Sequence, residues 1–358
     1  MGTTGAWRTY GLRLRHRIRT GFAVLREGRR TRRRHSIQTQ MRKAVLLYNA
    51  RSGGRRKQRE NDLRDVLKIL AEAGVQANLV RTQSSFDAAE QARKAILDGC
   101  DTVLACGGDG TVHDVLQGMA GSQVALGVIP MGTANALAHD LGIPFEPRRA
   151  IRALLSAGTR RIALGQASVR GFDGQTLTRY FTVALGIGVD AHLFYKLNAG
   201  SKRRLGMAAY YAKAWHLWFT HRMQPFHVEL PEGIAGTPQT GVTELLAVRI
   251  RNFGGVLREL APGASLDRDD MRIVVCRTSN RLSYLLYVTR ALLRGTWGVP
   301  GVELMHSTSV RCDYPADRVS EVDASSKIYV EADGELVGTL PAEIIMVPDA
   351  LTVLAPRK

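Results

Sequence analysis

The chain has 358 residues, of which 45% are hydrophobic, and its formal net charge is +18. This length predicts two domains, because single hydrophobic cores stop growing near ~250–300 residues. No run of about 18 apolar residues occurs and no apolar segment follows the basic N-terminus, so neither a transmembrane helix nor a signal peptide is predicted. The four cysteines form no C-x-x-C pair, which argues against zinc or disulfides and favours reduced thiols in the cytoplasm.

Positive charge is concentrated in residues 1–40, a basic arm that we predict to be poorly ordered. The arm contains 11 Arg, no Lys and one acidic residue, a net charge of +10. Apolar residues between Leu12 and Leu25 are spaced for a short basic amphipathic helix on an anionic lipid surface. Alternatively, translation starts at Met41, where the first predicted strand opens, and the arm is not part of the protein. The sequence leaves both interpretations open.

From residue 41 to about 163, short apolar runs alternate with helical stretches, the pattern of βαβ units with a parallel sheet. We predict a doubly wound α/β nucleotide domain here. Its predicted strands lie at 44–48, 76–81, 102–106 and 125–129, and its helices include one at 87–97 and one that begins at Val112.

After about residue 160, short β-type runs are separated by Gly, Pro and Asp, which predicts a mainly-β, sandwich-like lipid domain at 164–342. The last strand, within 343–358, can return to the first domain, and the active site is expected in the cleft between the domains. The runs lie at 162–169, 179–186, 226–230, 243–252, 271–277, 307–312, 327–332 and 343–354, with helical insertions at 205–221 and 281–294.

Residues 107–111, Gly-Gly-Asp-Gly-Thr, follow the third predicted strand, at the sheet edge where open α/β folds bind ligands. The glycines let the backbone approach phosphate oxygens, and the next helix offers free N–H groups. Asp109 could hold Mg²⁺, directly or through water. A glycine-rich turn alone is equally well a plain βα turn, but the aspartate and threonine favour the functional interpretation.

A similar loop, Gly-Thr-Ala-Asn at residues 132–135, follows the next strand. Asn49, Ser52, Gly53 and Thr82 follow the first and second strands and should face the same crevice. Neither a P-loop motif nor a Gly-x-Gly-x-x-Gly after the first strand occurs, which argues against a P-loop ATPase and a Rossmann dehydrogenase.

Carboxylates flank a glycine at residues 331–335, Glu-Ala-Asp-Gly-Glu. Phosphoryl transfer to an alcohol needs a base on the attacking hydroxyl and a metal on the phosphates, and paired carboxylates suit that task. On its own, such a segment is more often a solvated hairpin turn.

Five motifs occur in order: GGDGTVHDVLQG, GTANALAHDLGIP, FTVALGIGVDA, RNFGG with LAPGASLD, and DGE with VPDALTVLAP. Together they resemble the diacylglycerol kinase catalytic domain of bacterial lipid kinases, which are related to sphingosine and ceramide kinases. The resemblance runs from about Met41 to Lys358. It implies a Mg²⁺- and ATP-dependent kinase that phosphorylates the hydroxyl of diacylglycerol or a similar lipid at the membrane surface.

The resemblance also implies roles for single residues. Glu335 matches the general base, Asp333 stands beside it, and Asp109 is the expected ligand of the catalytic Mg²⁺. Asp114 stands where the family commonly has Glu, and Ala136 where many relatives have Asp. Nucleotide binding is implied for Asn49, Ser52, Gly53, Thr82, Gly107, Gly108, Asp109, Gly110, Thr111, Asp114, Gly132, Thr133 and Asn135.

Relatives bind a structural Mg²⁺ at an Asp-Asp-Gly segment of the second domain. This chain has Asp-Arg-Asp-Asp at residues 267–270, so Arg268 falls where a ligating aspartate is expected. Ser265, Asp269 and Asp270 remain the candidate ligands of that cation.

The expected partners are a lipid substrate and an anionic membrane face, with the protein cytoplasmic and peripheral at the inner membrane. The aromatic stretch at 210–219 favours either that membrane or packing between the domains. No specific nucleic acid is expected, because arginines alone bind it nonspecifically; a homodimer is compatible with the sequence. His113 is interpreted as solvated or structural. An NAD-kinase-like enzyme of small molecules and a catalytically silent anionic-lipid-binding protein are the alternative functions.

Overall fold

The structure, a computed structural model, describes residues 41–49, 56–188, 191, 223–231, 239–253, 260–278, 280–293, 295, 297–315 and 326–356. All of them belong to the unit Arg34–Lys358. The predicted basic arm, Ser52, Gly53 and the aromatic stretch at 210–219 lie outside the described residues.

The first half contains the predicted alternation of strands and helices. Its elements are β1 (Lys43–Asn49), α1 (Arg56–Glu72), β2 (Gln76–Thr82), α2 (Ser85–Leu97), β3 (Thr102–Gly107), α3 (Asp109–Met119), β4 (Ala125–Pro130), α4 (Ala136–Leu141) and α5 (Pro147–Leu155). Helix α3 begins at Asp109 and not at the predicted Val112. Its first turn closes early because the amide of Val112 donates to the carbonyl of Gly108, 3.1 Å away.

The first four strands form a parallel sheet in the order β4-β3-β1-β2. Strands β2 and β3 flank β1 on opposite sides, so right-handed crossovers put α1 and α2 on opposite faces of the sheet. This confirms the doubly wound architecture. The strand order reverses between β1 and β3, and the crevice beyond their carboxyl ends is where such sheets bind ligands.

The second half is mainly β. Its elements are β5 (Gly158–Arg170), β6 (Thr176–Phe181), β7 (Ala184–Gly188), β8 (Phe226–Glu229), β9 (Gln239–Val242), β10 (Glu244–Val248), β11 (Met271–Cys276), α6 (Arg281–Leu293), β12 (Val302–Ser307), β13 (Ser309–Asp313), β14 (Tyr329–Ala332) and β15 (Glu335–Ala355). The predicted run at 179–186 is two strands, because the chain turns at residues 182–183 between β6 and β7. No helix in the described part is long and apolar enough to cross a membrane.

Strand β15 belongs to both halves of the molecule. Its first part pairs antiparallel with β14 and β13, and near its end Thr352 and Val353 pair parallel with Ala125 and Leu126 of β4. Most of its length also pairs with β5. Because Glu335 begins this strand, the pairing of β15 fixes the start of the strand relative to the nucleotide part.

Candidate active site

The loops after β3 and β4 meet at two glycines. The register pairs Gly107 with Pro130, so both strands end at the same level. A Cβ on Gly132 would lie 2.4 Å from the Cα of Gly108, and one on Gly108 would lie 3.1 Å from the Cα of Gly132. Side chains are therefore excluded there. The result is a backbone-lined junction at the positive end of the α3 dipole, an arrangement that suits phosphate. We call residues 107–111 and 132–135 the phosphate cradle.

Asp109 ties the two loops of the phosphate cradle together. Its carboxylate accepts hydrogen bonds from the amides of Asn135 at 2.9 Å and Ala136 at 2.6 Å, at the start of α4. The side chain of Asn135 closes the second loop, since its Oδ1 accepts from the Gly132 amide and its Nδ2 donates to the Gly132 carbonyl, both at 2.9 Å. Burial raises the pKa of Asp109, the two amides oppose the rise, and the charge of Asp333 adds to it.

Residues 331–335 form the tight hairpin between β14 and β15. Asp333 and Gly334 both have left-handed backbones, with φ of 51° and 85°, as the two-residue turns favoured by Asp-Gly require. The amide of Gly334 donates to Oε2 of Glu331 at 2.8 Å. The segment is thus a hairpin turn, as the simpler interpretation predicted. It is not solvated throughout, because Asp333 is only 8% exposed.

The carboxylate of Asp333 is saturated with protein donors. It accepts hydrogen bonds from the amides of Thr182 at 2.9 Å, Val183 at 2.8 Å and Ala184 at 3.2 Å, at the junction between β6 and β7. The Thr182 hydroxyl also donates to it, at 3.3 Å. Asp333 therefore locks the hairpin against that junction, which favours a positioning role over direct contact with a substrate.

Glu335 faces the phosphate cradle. A Cβ on Gly110 would lie 2.5 Å from its Oε1, so the carboxylate sits against the first turn of α3. Glu335 is also exposed to solvent. Loss of part of its water shell raises the pKa of Glu335, the negative charge of Asp114 adds to the rise, and His113 opposes it. A positioned carboxylate with a raised pKa is suited to general-base chemistry.

His113 is structural, one of the two interpretations that the sequence left open. It is buried on α3, and its Nδ1 lies 3.6 Å from Oδ2 of Asp333. That nitrogen has no hydrogen-bond partner among the described residues. His113 therefore joins the helix of the phosphate cradle to the hairpin that carries Glu335. The available signal was its spacing of four residues from Asp109, which puts both side chains on one face of the helix.

The other predicted nucleotide residues divide into buried and accessible ones. Thr82 is buried at the end of β2, and its hydroxyl donates to the carbonyl of Tyr48 at 3.2 Å. Thr111 is also buried, packed beneath Gly107. Thr133 is exposed in the loop that follows β4 and is free to reach a ligand above the cradle.

Asn49 and Asp114 flank the cradle. Asn49 is half-buried, lies opposite Thr82 in the register of β1 and β2, and its carbonyl accepts a hydrogen bond from Nη1 of Arg59 at 3.1 Å. Asp114 is half-buried, and burial raises its pKa, while a hydrogen bond to Ser85 opposes the rise. The structure thus groups the cradle, Asp114 and Glu335, with Asn49 and Thr82 at the neighbouring strand ends.

Asp109 fits a Mg²⁺ ion that arrives with a nucleotide. No group of three or more His, Cys, Asp or Glu side chains in the described part could hold a metal without such help. Magnesium usually takes only one or two carboxylates from the protein and completes its shell with phosphates and water. A single aspartate in the phosphate cradle meets that requirement.

The predicted structural Mg²⁺ site at Ser265, Asp269 and Asp270 does not fit. Nε of Arg268 donates to Oδ1 of Asp270 at 2.7 Å, and Nη2 donates to Oδ2, so a guanidinium already covers the carboxylate. Burial alone would raise the pKa of Asp270, but Arg268 and the nearby His306 outweigh it and hold the pKa below its usual value. The guanidinium of Arg268 therefore already supplies the positive charge that a metal ion would bring to Asp270.

A second arginine supports the same turn. Arg249 is fully buried and donates to the carbonyls of Arg268 at 3.0 Å, Ala163 at 3.0 Å and Asp270. Arg249, which directly follows β10, therefore connects the turn at residues 265–270 to β5, and Arg268 pairs with Asp270 within the turn, so side chains replace a cation there.

We accordingly expect the thermal unfolding of the nucleotide-free protein to be insensitive to EDTA and to added Mg²⁺. Asp270→Asn should lower the free energy of unfolding by about 1–3 kcal/mol, because it breaks a charged hydrogen-bonded pair. Asp267→Asn is the control, since Asp267 is exposed and its 2.7 Å pair with Arg160 should contribute little. A Mg²⁺-dependent rise of the melting temperature, lost on chelation, would contradict this account.

Comparison with known proteins supports the same architecture. Residues 43–167 match the diacylglycerol kinase catalytic domain family, and residues 183–355 match the YegS C-terminal NAD kinase beta sandwich-like domain. A diacylglycerol kinase of Bacillus subtilis (strain 168) is 30% identical over 321 residues, which cover 89% of this chain and 98% of the relative. One of Staphylococcus aureus (strain MRSA252) is 25% identical over 317 residues, or 88% and 93% of the two chains.

A solved structure shares the fold. The crystal structure of a diacylglycerol kinase from Bacillus anthracis str. Sterne superposes with a TM-score of 0.62 at 17% identity, over 89% of this chain and 98% of the other. The two matched domains and the relative from Bacillus subtilis define an ATP-dependent phosphotransferase. The chain belongs to the diacylglycerol kinase family and is a lipid kinase, which confirms the resemblance.

Proposed function

We propose that this kinase transfers the γ-phosphoryl group of ATP to the hydroxyl of diacylglycerol or a closely similar lipid, with Glu335 as the general base. The observation that carries the proposal is the position of the Glu335 carboxylate against Gly110, in the first turn of the helix that opens the phosphate cradle. The names of the relatives from Bacillus subtilis and Staphylococcus aureus support diacylglycerol as the acceptor.

The phosphate cradle holds the transferred group. Backbone amides at the start of α3 and in the loop after β4 bind the phosphate oxygens of ATP, and the exposed Thr133 hydroxyl adds a side-chain donor. Asp109 would hold the Mg²⁺ that accompanies ATP, and that ion would neutralise charge on the phosphates. Asn135 keeps the second loop closed through its two hydrogen bonds to Gly132.

Transfer moves one proton and one phosphoryl group. The lipid hydroxyl oxygen forms a bond to the γ-phosphorus while the bond from that phosphorus to the bridging oxygen breaks, and ADP leaves with the electron pair. Glu335 accepts the hydroxyl proton. A weak base suffices because the alcohol becomes acidic late in a loose transition state. Asp333 holds the Glu335 hairpin in place through its hydrogen bonds to the β6–β7 junction.

Because its acceptor is a lipid, the enzyme must work at a lipid surface. We therefore place it at the anionic inner face of the membrane as a peripheral protein. The charge of +10 in residues 1–40 supports this placement, because each basic residue near an anionic surface contributes about 1 kcal/mol. A homodimer stays a prediction.

A panel of acceptors tests the proposal. The protein is incubated with radiolabelled ATP, Mg²⁺ and, in parallel, diacylglycerol, monoacylglycerol, phosphatidylglycerol, sphingosine and NAD, and the products are separated. We expect diacylglycerol to be labelled fastest and NAD not at all. A preference for another lipid would reassign the acceptor, and phosphorylation of NAD alone would overturn the proposal.

A further inference from the structure

Helix α6 carries an unusual share of the exposed apolar surface. Eleven large hydrophobic side chains are exposed in the described part of the chain, and five of them fall within the sixteen residues 282–297. These five, which we call the α6 stripe, are Leu282, Leu285, Leu286, Leu293 and Trp297. Single exposed apolar residues are ordinary, but a contiguous group of this size marks an interaction surface.

The opposite face of α6 anchors the helix to the β half. Tyr284 and Tyr287 are buried there. The Tyr284 hydroxyl lies 3.2 Å from that of Thr243, and the Tyr287 hydroxyl donates to the carbonyl of Leu260 at 2.7 Å. The spacing from Leu282 to Leu285 and Leu286 keeps the α6 stripe on the face turned away from these tyrosines. The stripe is therefore presented on a firmly held helix.

Trp297 extends the stripe beyond the end of the helix. Its ring packs against the backbone of Gly295, where a Cβ would lie 1.7 Å from a ring carbon, and 44% of the residue remains exposed. Tryptophan is favoured at the level of lipid headgroups, where its ring meets both apolar and polar surroundings.

The charge around the α6 stripe fits an anionic surface. Arginines flank the helix at positions 281 and 294, and residues 271–302 contain no aspartate or glutamate. Two other arginines of this segment do not add to the surface charge, because Arg290 is buried and Arg277 pairs with Glu303 at 3.5 Å. Such a segment attracts anionic lipid and repels a basic partner. The helix has only 13 residues, far fewer than the roughly 20 that a membrane span requires, so it would lie in the plane of the interface.

We propose that the α6 stripe is the surface by which this chain docks onto an anionic lipid bilayer. The inference rests on the proposed function, because a kinase of diacylglycerol must take its acceptor from a bilayer. It adds the face of the molecule that meets the lipid, and this face is formed by residues other than those of the phosphate cradle.

Sedimentation with vesicles tests this docking surface in the full chain. The vesicles are mixed phosphatidylglycerol and phosphatidylcholine. The double variant Leu282→Gln/Leu293→Gln removes the two most exposed leucines of the stripe, which are 58% and 68% exposed. Partitioning should weaken at least about 10-fold, because each leucine loses its burial in lipid. Leu97→Gln on α2 is the matched control, since Leu97 is 86% exposed, and it should bind like the wild type.

Two further measurements separate the outcomes. With a water-soluble short-chain diacylglycerol the double variant should turn over like the wild type, while its activity on vesicles falls. No turnover of the short-chain lipid by the wild type would overturn the proposed function and leave vesicle binding as an independent test. Unchanged vesicle binding by the variant would overturn the docking surface.

The oligomeric state decides the remaining alternative. A dimeric wild type that the double variant converts to a monomer, without a change in vesicle binding, would identify the stripe as a contact between two copies and overturn the proposal. If the double variant misfolds by circular dichroism, Leu285→Gln/Leu286→Gln replaces it, and the same loss of vesicle binding is expected.

Discussion

Glu335→Gln should lower kcat by about 10²–10⁴-fold, the usual contribution of a positioned acid–base group. The variant keeps the shape of the side chain against Gly110 and removes its basicity, so the lipid hydroxyl has no group to receive its proton. The KM for ATP should stay near that of the wild type, because the phosphates bind to the backbone of the cradle, which the substitution does not touch.

The pH dependence gives this prediction a second readout. The pKa of Glu335 lies above its ordinary value of 4.5 because part of its water shell is lost. Activity of the wild type should therefore fall as the pH drops through this raised pKa, since the protonated acid cannot accept a proton. The Glu335→Gln variant should lack that acid limb.

Glu343→Gln is the matched control, because Glu343 is exposed on the same strand, β15, and should keep wild-type kcat. Asp333→Asn is a poorer test. It disturbs the hydrogen bonds that hold the hairpin, so a loss of activity there would not assign the base. A Glu335→Gln enzyme with kcat within a few-fold of the wild type would show that the base lies elsewhere, with Asp109 the next candidate.

Asp109→Ala should abolish measurable phosphoryl transfer. It removes the carboxylate proposed to hold Mg²⁺ and also the link between the two loops of the phosphate cradle. The structure adds a cost of about 1–2 kcal/mol in the free energy of unfolding, because the carboxylate caps the start of α4 through the amides of Asn135 and Ala136.

Asp109→Asn separates the two roles of this residue. Asparagine keeps one acceptor oxygen and therefore only one of the two amide hydrogen bonds, because its Nδ2 is a donor. The variant should therefore unfold at a temperature between those of Asp109→Ala and the wild type. It lacks the negative charge that a divalent cation requires, so activity should still be lost. The measurements are kcat with saturating ATP and Mg²⁺, and thermal unfolding. An active Asp109→Asn enzyme would restrict Asp109 to a structural role.

The sequence by itself determined the nucleotide half and the family. Hydrophobic periodicity is a local property, so the alternation of strands and helices up to residue 163 could be deduced without coordinates. The ordered set of five motifs, including those of the second half, was enough to identify the resemblance to lipid kinases. The boundaries of helices were predicted less accurately. Helix α3 begins at Asp109 because the Gly108 carbonyl accepts a hydrogen bond from the Val112 amide, and no residue type in the sequence predicts that bond.

Only the tertiary structure decided which groups meet. Asp333 accepts amides from a junction about 150 residues earlier in the chain, and every non-proline residue offers the same backbone donor, so no sequence pattern marks the partner. Arg268 takes the place of a cation at Asp270, two residues further along the same turn, and the pairing of β11 with β12 brings His306 beside that carboxylate. The exposure of the α6 stripe likewise depends on which face of the helix the β half covers, and long-range packing sets that face.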